Sequence, residues 1–309
     1  MRSELLTAVR ARQGTYSIVA RDPDTGELGV AVQSHWFSVG PIVPWARTGV
    51  GAVATQSNVE ISYGPLALDL LERGKTAPEA LAELLAADPR RASRQVAIVD
   101  ARGNVAAHTG ESCTPFAGDI QDDGVSCQAN IMASETVWPA MLEAFRTAAE
   151  LPLTDRLLAA LDAAEAQGGD IRGRQSAAIL VVPASGKRWD TVIALRVEDH
   201  PDPLGELTRL VHLHEAYAIA GLGDERVAQG RHTEAAELFL RASELAPESH
   251  ELQFWAGIGA ATVGDIDAAV RHVRAAIAAQ PGWRELLPRL PPEVAPAAAA
   301  VIERLERTD

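Results

Sequence analysis

TYSIVARDPDTGELGVAVQS, residues 15–34, reads as a β-hairpin. Its first seven residues are β-branched, aromatic and apolar. Asp22-Pro23-Asp24-Thr25-Gly26 then places turn formers in series, and LGVAVQS resumes the extended pattern. Working outward, strands are predicted at 50–56, 95–100, 104–109, 125–131, 176–182 and 190–197. Helices are predicted at 65–73, from a Thr76 cap to Pro89, at 135–149, and at 154–166 with Thr154 as cap. Pro139 fits only the first turn of its helix. The order is strands, helix pair, strands, helix pair, strands. Strands that are apolar on both faces need cover on both sides. Two stacked sheets, each backed by a helix pair, meet that need. The expected fold is therefore α+β, a four-layer αββα sandwich, with a two-layer α+β fold as the alternative.

The C-terminal third reads differently. Asp199-His200-Pro201-Asp202-Pro203 interrupts helix and sheet alike. This gives an extension at 1–14, a sandwich domain at 15–203 and a helical domain at 204–309. Within the last, Gly230, Ala235, Ala242 and Pro247 recur as Gly264, Ala269, Ala276 and Pro281, each 34 residues later (281 − 247 = 34). Each unit reads as helix, turn at Gly, second helix, terminating Pro. The pattern is similar to the tetratricopeptide repeat over 215–281, with a partial unit after Trp283. Two units and a fragment bury their faces incompletely. The array is expected to pack on the larger domain or on a second copy in a homodimer. Its role is either a groove for a protein partner or a docking appendage.

The chain has 309 residues, 47% apolar, and a formal net charge of -14. An acidic surface disfavours nucleic acid, which needs clustered cations. Mean hydropathy is -0.02, and no stretch reads as a membrane span. The apolar run near the start is too short for a secretion signal, so the cytoplasm is the expected compartment. Cys113 and Cys127 are expected to be free, buried thiols.

Familiar catalytic signatures are absent. Gly74-Lys75-Thr76 lacks the upstream glycine of a P-loop, and Gly49-x-Gly51 opens no helix. No G-x-S-x-G elbow occurs. His212 and His214 point to different sides of their helix. The two cysteines have no zinc-ligand companions. No cofactor and no metal are expected. What remains is Gly14-Thr15 at the head of the first strand. A threonine with a free amine carries nucleophile and base in one residue, since an α-amine titrates near 7.7–8.0. A rigid strand would hold the two together.

TYSIVARDPDTGELGVAVQSHWFSVG, VPWARTGVGAVATQS, HTGESC, GGDIRGRQSAA and VEDHPDPLGEL together resemble the bacterial family known as domain of unknown function 1028. The resemblance runs from Thr15 to about Leu210. It implies an N-terminal nucleophile (Ntn) hydrolase fold and amide-bond hydrolysis. Members often carry a C-terminal extension described as peptidoglycan-binding, which GWREL at 282–286 resembles; the repeats account for the same segment. Members begin near the residue matching Thr15, so activity here requires cleavage between Gly14 and Thr15. Otherwise the extension is a retained tail or an early start.

Arg47 lies 32 residues after Thr15 (47 − 15), where proteasome-type relatives place a lysine. It either supplies charge to the nucleophile or is a solvated strand-edge cation; an arginine cannot shuttle a proton. Gln128 and Asn130 share one strand face, as an oxyanion hole or as cross-strand hydrogen bonding. Asp170, Arg174, Gln175 and Ser176 line the same cleft or cap the loop after Gly169. Ser34 and Gln56, at the ends of their strands, complete the substrate-binding candidates. His35 and His108 read as satisfied histidines. Two functions follow: an amidohydrolase with catalytic Thr15, Arg47 and Asn130 acting on a small amide or peptide-like substrate, or a non-catalytic scaffold that binds peptides through its repeats.

Overall fold

The computed structural model describes residues 14–307; apart from Gly14, the extension expected at 1–14 lies outside them. The chain divides into two compact units, the first ending at Thr208 and the second beginning at Arg209.

The first unit is mixed α+β with antiparallel sheets. The opening hairpin pairs β1 (Thr15–Arg21) with β2 (Leu28–Ser34). Its turn works as the residue types require: Asp22 Oδ1 accepts from the backbone N–H of Asp24 and Thr25 at 2.9 and 2.8 Å, and Gly26 takes φ +72°. There follow β3 (Pro44–Arg47), β4 (Gly51–Ser57), helices α1 (Tyr63–Glu72) and α2 (Ala77–Ala87), and strands β5 (Arg94–Asp100), β6 (Val105–Thr109), β7 (Gly118–Asp122) and β8 (Val125–Asn130). Helices α3 (Val137–Thr147) and α4 (Leu153–Ala166) come next, then β9 (Ser176–Val182) and β10 (Ile193–Val197). One sheet has the order β10-β9-β2-β1-β8-β7 and the other β3-β4-β5-β6.

Successive side chains point to opposite faces of a strand, and both faces are covered. Val19, Val30 and Val32 of one sheet meet Ala52, Ala54, Ala97 and Val99 of the other in a shared core. The opposite face of the four-stranded sheet, Val53, Val96 and Ile98, packs on Leu68, Leu71, Leu81 and Leu84 of α1 and α2. On the six-stranded sheet, Gly29 lies so close to Leu153 and Leu157 of α4 that a Cβ there would meet Leu157 Cδ1 at 2.6 Å. Each such buried Leu or Val side chain contributes about 1.5–3 kcal/mol.

Three expectations need correction. Strands β3 and β7 are absent from the sequence reading, because both are sheet edges. Edge strands are short and tolerate Pro and charge, as PWAR and GDIQD do. Helix α4 begins one residue before Thr154, with Pro152 at its cap position. Thr76, by contrast, caps α2: the Glu79 carboxylate accepts from its N–H and hydroxyl at 2.8 and 2.9 Å.

Helix α5 (Pro203–Ala228) starts in the first unit and runs into the second. The second unit continues with α6 (His232–Leu245), α7 (His250–Thr262), α8 (Ile266–Ala279), α9 (Gly282–Leu286) and α10 (Ala298–Glu306). The 34-residue period is visible in the backbone. Helices α6 and α8 start at 232 and 266, and α5 and α7 end at 228 and 262. Gly230 and Gly264 both take positive φ, at +72° and +92°. Ala235, Ala242, Ala269 and Ala276 are all buried. A Cβ on Gly257 would lie 2.7 Å from Val273, so α7 and α8 touch backbone to side chain. Trp283 stacks on Phe254 at 4.5 Å and donates its indole N–H to His250 at 2.9 Å. No helix among the described residues is long and apolar enough to cross a membrane.

Candidate functional site

Four strands of the six-stranded sheet end together, and their register puts four polar residues in one row. Asn130 is opposite Thr15, Thr15 opposite Ser34, and Ser34 opposite Ser176. Directly paired residues share a sheet face. All four are fully buried. Burying this many polar groups is tolerable only if they are hydrogen-bonded.

The Thr15 hydroxyl lies 3.0 Å from Ser34 Oγ, and Ser34 donates to the carbonyl oxygen of Gly14 at 2.5 Å. A serine has one proton, so the chain of donors runs from Thr15 to Ser34 to Gly14. Arg172 Nη2 donates to the same Gly14 carbonyl at 3.1 Å. Arg172 is itself clamped on Asp170, with Nε to Oδ1 at 3.0 Å and Nη2 to Oδ2 at 2.7 Å. The Asp170 side chain is fully buried and also accepts from the backbone N–H of His35 at 3.3 Å.

A cluster of amides beneath the row ties the two sheets together. Gln56 Nε2 donates to Gln95 Oε1 at 2.8 Å and lies 3.3 Å from the carbonyls of Thr15 and Gln128. Gln56 Oε1 accepts from Ser17 at 2.6 Å. Asn130 Nδ2 donates to Gln95 Oε1 at 2.8 Å and more weakly to the Thr15 carbonyl at 3.4 Å. Its Oδ1 has no partner. Gln95 Nε2 in turn reaches Thr109 and the carbonyl of Ala129, both at 2.9 Å.

The structure brings together Thr15, Ser34, Gln56, Asn130 and Asp170. The side chains of the other candidates have different partners. Arg47 donates to Glu72 at 2.7 Å and Asp69 at 2.9 Å on α1. It pairs with Gly51 on β4, five residues from Gln56 (56 − 51), which is about 17 Å along a strand. The sequence spacing therefore does not bring it to Thr15. Gln128 shares the inward face but is one step deeper, donating to Ser17 at 2.6 Å. Gln175 donates to Asp199 at 3.0 Å. Ser176 donates to the Trp36 carbonyl at 2.5 Å and accepts from the Val39 N–H at 3.1 Å, anchoring that loop. Arg174 faces Glu165 and Asp202 at the surface. His108 Nε2 lies 2.9 Å from the Arg91 carbonyl, whereas His35 Nδ1 is buried without a partner.

Arg172, Gln95 and Ser17 are the residues the sequence reading missed. Each carries a signal: Arg172 follows Asp170 at the spacing of a carboxylate that caps its own turn, and Gln95 and Ser17 are polar residues inside otherwise apolar strands. Cys113 and Cys127 are buried and free. Burial pushes both thiols up, so neither supplies thiolate readily.

This strand-rich architecture has a counterpart among solved structures. The chain is similar to the crystal structure of protein SPO2555 from Silicibacter pomeroyi, a DUF1028 chain, with 34% identity and a TM-score of 0.58 over 64% of this chain and 88% of that one. No curated protein matches. The model of the Family of unknown function (DUF1028) matches residues 15–207, which takes in the whole row of Asn130, Thr15, Ser34 and Ser176, and the chain belongs to that family.

Proposed function

We propose that this chain is an N-terminal nucleophile amidohydrolase of the four-layer αββα type, acting through Thr15 once its amine is free. One observation carries the reading. The only residue of the row that can join hydroxyl and base in itself stands at the head of β1, and its acyl neighbour's carbonyl already sits between two donors, Ser34 and Arg172. Polarised carbonyls of this kind are where acyl transfer develops negative charge.

The chemistry balances within these groups. The free amine of Thr15 accepts the hydroxyl proton as Oγ1 attacks the substrate carbonyl. The C–N bond then breaks, and the proton passes to the departing amine, leaving an ester on Oγ1. Water attacks the ester, releases the acid and restores the hydroxyl. Ser34 and Arg172 hold the carbonyl oxygen, and Asp170 holds Arg172. Asn130 and Gln56 fix the Thr15 backbone. Arg47 has no part in it.

A chain that begins at Thr15 should hydrolyse amide substrates, and its Thr15→Ala form should not. Its rate should rise with pH through about 7.7–8.0, as the amine loses its proton. Hydrolysis that survives Thr15→Ala would remove the reading.

A second reading, a peptide-binding scaffold, is favoured by one feature. A groove of about 460 Å³ in the second unit is lined by Phe239, Trp255, Ile258 and Val227, with Asp224 and Glu293 among its walls. The 34-residue spacing of the helices supports a tetratricopeptide-like array there.

A further inference from the structure

We infer that the acyl pocket of Thr15 is a slot built for glycine, so that the substrates are glycyl or N-acylglycyl amides, whose carbon next to the scissile carbonyl is an unsubstituted CH₂. This rests on the hydrolase reading and adds the substrate class to it. Gly14 is the acyl residue bonded to Thr15, and an acyl group carried on Oγ1 of the same residue occupies the same surroundings. Those surroundings are closed on the side-chain face. A Cβ built on Gly14 would lie 2.5 Å from Asp170 Oδ2, 2.6 Å from Arg172 Nη2 and 3.0 Å from Asp170 Cγ. Real Cβ atoms do not approach that closely, so Asp170 or Arg172 would have to move.

Neither moves cheaply. The Asp170 side chain is wholly buried, held by two contacts to the Arg172 guanidinium and one to the His35 N–H. Its Oδ1 also accepts from the Arg172 N–H at 2.9 Å. Shifting Arg172 would take its Nη2 off the Gly14 carbonyl, the contact that holds the acyl oxygen. The clamp that holds the carbonyl is thus the same pair of side chains that excludes a substituent. Removing Gly14 and what precedes it leaves a site with two carbonyl donors, Ser34 and Arg172, at one end. A carboxylate product is held there by charge-assisted hydrogen bonds.

The test begins with the full chain. Gly14→Ala should lower the midpoint of thermal unfolding, and Gly14→Val should lower it further. Parent and Gly14→Ala chains that melt together would overturn the slot. In the chain that begins at Thr15, with cooperative melting as its check on folding, N-acetylglycine should bind about tenfold or more tightly than N-acetylalanine. Equal binding would overturn the proposal, and this readout needs no turnover. Glycine-selective binding without hydrolysis of any amide would support the slot and remove the hydrolase reading. Hydrolysis of alanyl or leucyl amides as fast as glycyl amides would do the reverse.

Discussion

Replacing Gln56 tests whether the amide cluster holds the two sheets together under Thr15. Gln56 is fully buried and makes two short hydrogen bonds, 2.6 Å from Ser17 and 2.8 Å to Gln95, plus two longer ones at 3.3 Å. Gln56→Leu keeps the volume and removes all four. The Ser17 hydroxyl then loses its acceptor, and the Gln128 amide presents Nε2, a donor, to it at 2.6 Å. An orphaned buried donor costs about 1–3 kcal/mol, and losing the bond to Gln95 adds about 1 kcal/mol. Gln95 Oε1 is not orphaned, since Asn130 still donates to it. The total is about 2–4 kcal/mol. For a unit of this size that lowers the melting midpoint by about 4–16 °C. Gln56→Glu should be worse at pH 7. Three of the four contacts are acceptors facing Nε2, so a carboxylate there would meet oxygen on every side. That variant should regain stability as the pH falls and its carboxyl protonates. Calorimetry of the full chain, following the transition of the strand-rich unit, reads both. A Gln56→Leu loss below about 0.5 kcal/mol, or a Gln56→Glu chain as stable as Gln56→Leu at pH 7, would refute the account of the cluster.

Ala269 is fully buried where α7 and α8 meet, so Ala269→Trp should cost about 1–3 kcal/mol by overpacking; unchanged unfolding of the helical unit would contradict the packing. Asp88 sits below the usual carboxylate range: burial opposes this, but hydrogen bonds from Arg94, the Arg90 N–H and Tyr63 outweigh it. A depressed carboxyl contributes stability above its unfolded pKa of about 3.9 and loses it as the pH falls. The Asp88→Asn chain should therefore lose less stability than the parent on acidification below about pH 4. His272 is shifted down by burial and then by Arg271, against the pull of Glu244 and Asp265. The unfolded chain takes up that proton first, so the helical unit should weaken as the pH drops through about 6.5, and His272→Gln should flatten the change.

Much of this architecture was legible because runs of apolar and β-branched residues and strong turn residues agree along the first unit. The hairpin at 15–34 and the capped start of α2 are examples. The period of 34 in Gly and Ala likewise anticipates where helices of the second unit begin and end. Edge strands β3 and β7 were not legible, since they are short and carry Pro and charge where the central strands are continuous apolar runs. The site divides the same way. Thr15, Ser34, Asn130 and Ser176 form a row because of register, which no local pattern states, although each stands at a strand end. Spacing alone left Arg47 open between a charge for Thr15 and a strand-edge cation: its strand lies at the edge of the other sheet, and two carboxylates on α1 face it. Arg172 escaped notice because its role depends on Gly14, a residue far away in sequence.

The most direct test of the central claim is covalent labelling of Thr15. A chain that begins at Thr15 should react with a β-lactone or epoxyketone, and intact mass with peptide mapping should place one adduct on Thr15. The Thr15→Ala form should stay unlabelled. Ser34→Ala should label more slowly, because the hydroxyl loses the partner 3.0 Å away that aligns it. Absence of any adduct on Thr15 in a folded chain, or equal labelling of the Thr15→Ala form, would contradict the assignment of Thr15 as nucleophile.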